Sequence, residues 1–144
     1  MESLDQVLLV NRLALGVFFA CSGFNKVCNK GRHASLVRTL RRDEVPLLPF
    51  NQWLIPGAEF MGGCALIVGF LTPLAALGLF IICLGAIILD GVERIPAMRP
   101  INFADRVACF FYLPEVLYGL MLLTIAASWG GPWSIDGALL RWVR

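Results

Sequence analysis

The sequence predicts an all-α polytopic membrane protein: a four-transmembrane-helix bundle with an interfacial loop helix and a short C-terminal amphipathic helix. Three observations lead there. The 144 residues are 58% hydrophobic and 15% charged, with a mean hydropathy of +0.76, whereas soluble domains carry roughly 25% charge. A chain this short has too much surface per volume to hide that excess in a core. Its apolar residues also fall in long runs divided by two charged loops, the pattern of spans crossing a hydrocarbon core of about 30 Å.

The spans are expected near residues 4–27, 53–71, 74–89 and 107–129, within a single domain covering 1–144. The start, Met1-Glu2-Ser3-Leu4-Asp5, is acidic, whereas a secretory leader opens with basic residues, so the first run reads as a retained span. Residues 60–89 carry no charge. As one helix they would extend about 45 Å, too long for one crossing. Gly69-Phe70-Leu71-Thr72-Pro73 supplies the break, because a proline disfavours helix in the residue before it. The two halves therefore read as a tight hairpin. Three crossings is the alternative, with the third segment re-entrant.

The loops divide the charge. Lys26, Lys30, Arg32, Arg38, Arg41 and Arg42 fall in the first loop, and Arg94, Arg99 and Arg106 in the last long one. The positive-inside rule places both loops in the cytoplasm and both termini outside. Leu36–Arg42 has apolar and basic residues at helical spacing, which suits a helix lying in the interface against anionic headgroups; a solvated basic linker is the competing reading. After the last span, Trp129 and Trp133 suit the interface. Ser134 can cap a final helix, Asp136 suits its first turn, and Arg141 and Arg144 its last. Ile135, Leu139, Leu140 and Val143 would give that helix its membrane-facing side.

Ions inside a span are costly and usually face a partner or a cavity. Arg12, Glu59 and Glu115 stand out, with Lys26 at the loop end of the first span. Depths measured along straight helices pair Arg12 with Glu115 and Lys26 with Glu59. Two readings stay open. The pairs either specify helix register alone or line a polar pocket for a ligand headgroup or proton relay. Pro114 frees a backbone carbonyl in the fourth helix, which would widen such a pocket.

Gly16 with Ala20, and Ala58 with Gly62 and the adjoining Gly63, have the small-residue spacing of close helix packing. The five cysteines form no CxxC pair and read as small packing residues. Single His33 reads as a solvated loop residue, and without a second histidine no metal or haem site is expected. A net charge of +2 and the absence of a longer basic run argue against nucleic acid as a partner.

Taken in order, Arg12-Leu-Ala-Leu-Gly16, Ser22-Gly23-Phe-Asn-Lys26, Gly57-Ala-Glu59-Phe-Met-Gly62-Gly63, Gly69-Phe-Leu-Thr72, Glu115 and Gly131-Pro132-Trp133-Ser134-Ile135-Asp136 resemble the DoxX family of small four-helix bacterial membrane proteins. Arg12, Lys26, Glu59 and Asp136 fall on that family's recurrent polar positions, and Glu115 less surely so. Trp133 departs from the glycine often found there. The resemblance implies a multi-pass protein of the bacterial inner membrane, and the family's name links it to quinol oxidase and thiosulfate:quinone oxidoreductase. The expected role is a non-catalytic subunit that binds a quinone or lipid, or docks a membrane or cytoplasmic redox protein. Alternatives are a quinone-linked oxidoreductase acting through Glu59 or Glu115, and a small transporter or assembly factor. A similar methylamine-utilisation group is linked to disulfide chemistry, but without CxxC this chain cannot run a dithiol relay alone. The lipid bilayer is the expected partner, and self-association stays open. No covalent cofactor is expected, and quinone is the only one implied.

Overall fold

The computed structural model describes residues 2–129, 131 and 133–143. Among them the chain is all-helical, with no strand. In order come α1 (Glu2–Cys28), α2 (Lys30–Arg42), α3 (Leu48–Val68), α4 (Thr72–Ala86), a π-helical turn (Ile87–Gly91), α5 (Val92–Ala97), α6 (Phe103–Phe111), α7 (Pro114–Ala127) and α8 (Ile135–Val143). α1 packs on α3, α3 on α4, α4 on α7, and α7 returns to α1.

Ser3–Cys28 and Thr72–Gly91 are long and apolar enough to cross a bilayer. They match the first and third expected spans. α3 covers the second, but Asn51, Gln52 and Glu59 keep it below the apolar content of those two. The fourth differs from expectation. Instead of one run over 107–129, α6 and α7 meet at a bend of 62° and make at most one broken span. Pro114 is the cause: it sits at the start of α7 rather than within a helix, where its missing N–H costs nothing. The preceding Leu113 is extended at ψ 119, as a residue before proline prefers.

The hairpin between α3 and α4 forms where expected. Gly69 ends α3 in the left-handed region at φ +75, and its N–H donates to the Ala65 carbonyl at 2.8 Å, the glycine C-cap arrangement. Leu71, also left-handed at φ 49, then leads into α4. Asn29 starts α2 by accepting from the N–H groups of Gly31 and Arg32. Ser134 starts α8 by accepting from Gly137 N at 2.9 Å. Pro132 and Arg144 lie outside the described residues, as do the side chains of Leu140 and Val143.

Burial is periodic. α1 buries Arg12, Leu15, Gly16, Phe19 and Gly23, α4 buries Thr72, Ala76, Leu79 and Cys83, and α7 buries Val116, Gly119, Leu122 and Ile125. Each set lies on one face of its helix, three or four residues apart except for the adjoining Leu15 and Gly16. The opposite faces are apolar too: Val10, Val17, Ile81 and Leu120 are exposed. That is the surface of a protein whose surroundings are lipid. The exposed tryptophans 129 and 133 flank the end of α7, consistent with interfacial anchoring.

The closest helix approach is between α1 and α3. A Cβ on Gly63 would overlap the backbone of Ala20, and one on Gly23 would lie 2.6 Å from the Pro56 carbonyl oxygen. Gly62 instead faces Leu79 of α4. Only a residue without a side chain fits at Gly23 and Gly63, because the atoms in the way are backbone and cannot swing aside. Replacing Gly63 by Ala should therefore lower stability in detergent by about 1–3 kcal/mol, the usual cost of overpacking. Gly78→Ala, where a Cβ meets nothing within 4 Å, should leave stability unchanged or raise it by up to about 1 kcal/mol. Thermal unfolding of the two variants in the same detergent measures the contrast.

Candidate functional site

Two polar clusters lie along α1 (Glu2–Cys28), one centred on Arg12 just before its midpoint and one on Lys26 near its end, separated by about 21 Å of helix. At the loop end, Glu59 of α3 is only 4% exposed. Both of its carboxylate oxygens accept from Lys26 Nζ, at 2.6 and 2.7 Å, and Oε2 also accepts from Ser22 Oγ at 3.2 Å. Ser22 and Lys26 stand one turn apart on α1, so they reach the carboxylate from one face. The Gly23 contact with Pro56 and Phe60 brings the two backbones close enough for that reach. The expected Lys26–Glu59 pair is present.

Beside this pair lies a cavity of about 300 Å³. Lys26 and Glu59 form its polar side, Leu36 and Leu40 of α2 and Ile81 of α4 its apolar walls, and Asp90 another polar point. Asp90 belongs to the π-helical turn, a distortion often found at functional sites because it shifts one residue out of α-helical register. The Leu89 carbonyl in that turn accepts from Arg42 Nη2 at 3.2 Å. Arg42 also pairs with Asp43 at 3.0 Å and Glu93 at 3.0 Å, and reaches Asp90 at 3.9 Å. The hydrogen bond to Asp43, aided by the charges of Glu93 and Asp90, holds the Arg42 guanidinium above its ordinary pKa. This network fastens the end of α2 to the turn beside the cavity.

Glu115 is placed otherwise than the depth estimate implies. Its partner is Arg94, which donates from Nη2 at 2.7 Å and also pairs with Asp90 at 3.0 Å. Arg12 is not its neighbour. A straight helix from Val107 would carry Glu115 into the span; the bend before Pro114 puts it in the first turn of α7 instead. Neither Arg12 nor Glu115 lines the cavity.

Arg12, 2% exposed, organises the other cluster. Its Nη2 donates to the Trp133 carbonyl at 2.8 Å, its guanidinium presses on Gly69, and Asp136 is the opposite charge nearby. The Asp136 carboxylate accepts from Leu71 N at 2.9 Å and Thr72 N at 2.6 Å. It thus caps the start of α4, where a helix favours negative charge, while its own N–H donates to the Gly69 carbonyl at 3.1 Å. This long-range role exceeds the expected one in the first turn of α8.

His33 is not simply solvated. It is half-buried, stacks on Trp53 with ring centroids 4.4 Å apart, and places Nδ1 3.2 Å from the Lys26 carbonyl oxygen. Cys83 and Cys109 are buried packing residues, whereas Cys21 and Cys28 are exposed. The roles of Asp90, Arg42 and Arg94 escape the sequence reading. Their one visible signal is the spacing of Asp90 and Arg94, one turn apart on a helix.

Removing the Glu59 carboxylate strands the Lys26 ammonium beside a largely apolar cavity. Glu59→Ala should cost about 2 kcal/mol or more of stability in detergent, since charged hydrogen bonds are lost and a cation is left without its counter-ion. The neutral pair Lys26→Met with Glu59→Gln should cost less than Glu59→Ala alone, read as the thermal midpoint of each variant.

The DoxX family profile matches residues 7–91, more than half of the chain, running from α1 through the π-helical turn. The matched region contains Arg12, Lys26, Glu59 and the cavity-lining Asp90, whereas Glu115 and Asp136 lie beyond it. No curated protein and no solved structure matches the chain. With its apolar helices and this match, the chain is a membrane protein belonging to the DoxX family.

Proposed function

We propose that this chain is a non-catalytic, multi-pass subunit that holds an amphipathic ligand of the quinone class in the cavity beside Lys26 and Glu59. The observation that carries the reading is the pairing, in one cavity of about 300 Å³, of apolar walls with the half-buried Lys26 bound to the buried Glu59 and a separate carboxylate at Asp90. A quinone headgroup needs donors for its carbonyl oxygens, and its reduced form needs acceptors for two hydroxyls. The ammonium of Lys26 supplies the first, and the carboxylates of Glu59 and Asp90 supply the second. Leu36, Leu40 and Ile81 suit the ring face and the start of an isoprenoid tail. The donor set therefore fits the group that the family resemblance implies. A bound quinone would supply two-electron, two-proton redox capacity. The chain's own residues would orient the headgroup, exclude water and hold protons at the two carboxylates. Electrons would come from a partner redox protein docked at the basic loops.

The topology that suits this role has four crossings: α1, α3, α4 with the π-helical turn, and the broken α6–α7 segment. α3 supports it, since 21 residues extend about 31 Å, the thickness of the hydrocarbon core. The loop basic residues then lie in the cytoplasm of a bacterial inner membrane and the termini outside. A periplasm-active phosphatase fused after α8 should be active, and one inserted at Arg38 inactive. The opposite result would reverse the orientation.

A short-chain ubiquinone analogue should raise the thermal midpoint of the purified protein. At about 100 times its Kd, linkage gives about 2.7 kcal/mol of stabilisation, or roughly 5 °C or more at this chain length. The double variant Lys26→Met with Glu59→Gln should lose the shift. An unshifted midpoint for the unmodified protein at saturating analogue would overturn the reading.

A further inference from the structure

A second groove, of about 450 Å³, runs along the outer face of α1. Its composition changes in order along the helix axis. Val17 and Phe18 form the end nearest mid-span, Cys21, Ser22 and Asn25 the middle, and Lys26 with Arg32 of α2 the loop end. From Val17 to Lys26 the helix rises about 14 Å. Among the described residues no Asp or Glu lines the groove. α1 is long and apolar enough to cross a bilayer, so this gradient parallels that of a lipid, from acyl chain through glycerol to headgroup.

The chemistry at each level agrees. Val17 and Phe18 are exposed, and Phe18 is held in place by Tyr118 of α7 at a ring-centroid distance of 4.5 Å. Asn25 is exposed between the apolar and the basic ends and has an amide to offer. Arg32 is exposed, and among the described residues its guanidinium has no hydrogen-bond or ion-pair partner. Lys26 gives Glu59 two contacts, and an ammonium has three donors. With its side chain 30% exposed, it borders the groove as well as the cavity, and its charge acts on both.

We propose that this groove binds one anionic phospholipid lengthwise, its phosphate between Arg32 and Lys26 and an acyl chain over Val17 and Phe18. This site is separate from the quinone-class cavity, although Lys26 borders both, and it does not depend on that reading. Two arginine- or lysine-borne charges facing a phosphate give the anionic preference, and the apolar floor requires that the phosphate carry a chain.

The test uses the full chain, purified, stripped of lipid and returned to detergent micelles with phosphatidylglycerol or phosphatidylcholine, with retained lipid counted by native mass spectrometry. Variants leave Lys26 untouched, so failure here is distinct from failure of the quinone-class reading. Phosphatidylglycerol should be retained in preference to phosphatidylcholine. Arg32→Gln should reduce that preference by about fivefold, the worth of one basic residue facing an anionic surface. Val17→Trp, which fills the apolar end at an exposed position, should lower retention of phosphatidylglycerol while sparing the folded yield. Glycerol 3-phosphate, a headgroup without a chain, should compete weakly. Equal retention of the two lipids, or a preference indifferent to Arg32→Gln, would overturn the proposal. Competition by glycerol 3-phosphate as strong as by the lipid, with no effect of Val17→Trp, would also overturn it and leave a soluble-phosphate site instead.

Discussion

An ion surrounded by hydrocarbon has to be met by an opposite charge or by hydrogen bonds, and much of this architecture follows from meeting two of them. Burying an isolated carboxylate or guanidinium is far costlier than any single helix contact can offset. Glu59 and Arg12 are both nearly fully buried. For Lys26 to reach Glu59, α1 and α3 must come close together, and the absence of side chains at Gly23 and Gly63 permits it. The small residues and the ion pair are thus one device. At the other end, Arg12 ties α1 to the α3–α4 hairpin at Gly69 and to the C-terminal segment at Trp133. Asp136 completes the tie by capping α4 from a position 64 residues along the chain.

The cavity beside Glu59 grows from the same constraint. In the π-helical turn the Leu89 carbonyl accepts from Arg42, and Asp90 stands at the cavity and against Arg94. Arg42 and Arg94 then join α2, the turn and α7 through charge. Polar groups converge on a space whose remaining walls are aliphatic, and in such a low-dielectric setting each hydrogen bond to a ligand counts for more than it would in water. That combination distinguishes the cavity from the groove on α1, whose charged lining among the described residues is Lys26 and Arg32.

Glu115 shows how a sound local argument fails at a distance. Its depth follows from helical rise only while the helix is straight. Pro114 was visible in the sequence, but proline either kinks a continuous helix or begins a new one. Here Leu113 is extended and a new helix starts, so Glu115 moves to the loop end and meets Arg94. His33 is a similar case: its loop position was apparent, but Trp53, which covers it, is distant in sequence. The Lys26–Glu59 pair was legible because both residues lie on unbroken helices at matching levels.

Sequence alone determined the membrane class, the helical spans near residues 4–27 and 74–89, the break at Gly69–Pro73, the cap at Ser134 and the residues needing partners. These follow from composition, rise per residue and turn chemistry, all of which are local. Tertiary structure alone decided which face of each helix is buried, because lipid-facing and core-facing positions are equally apolar and leave almost no periodic signal in hydropathy. It also decided the partners of Arg12 and Glu115, the π-helical turn and the cavity it borders. Those depend on where separate helices meet in space, and the spacing of residues along one chain does not encode that meeting point directly.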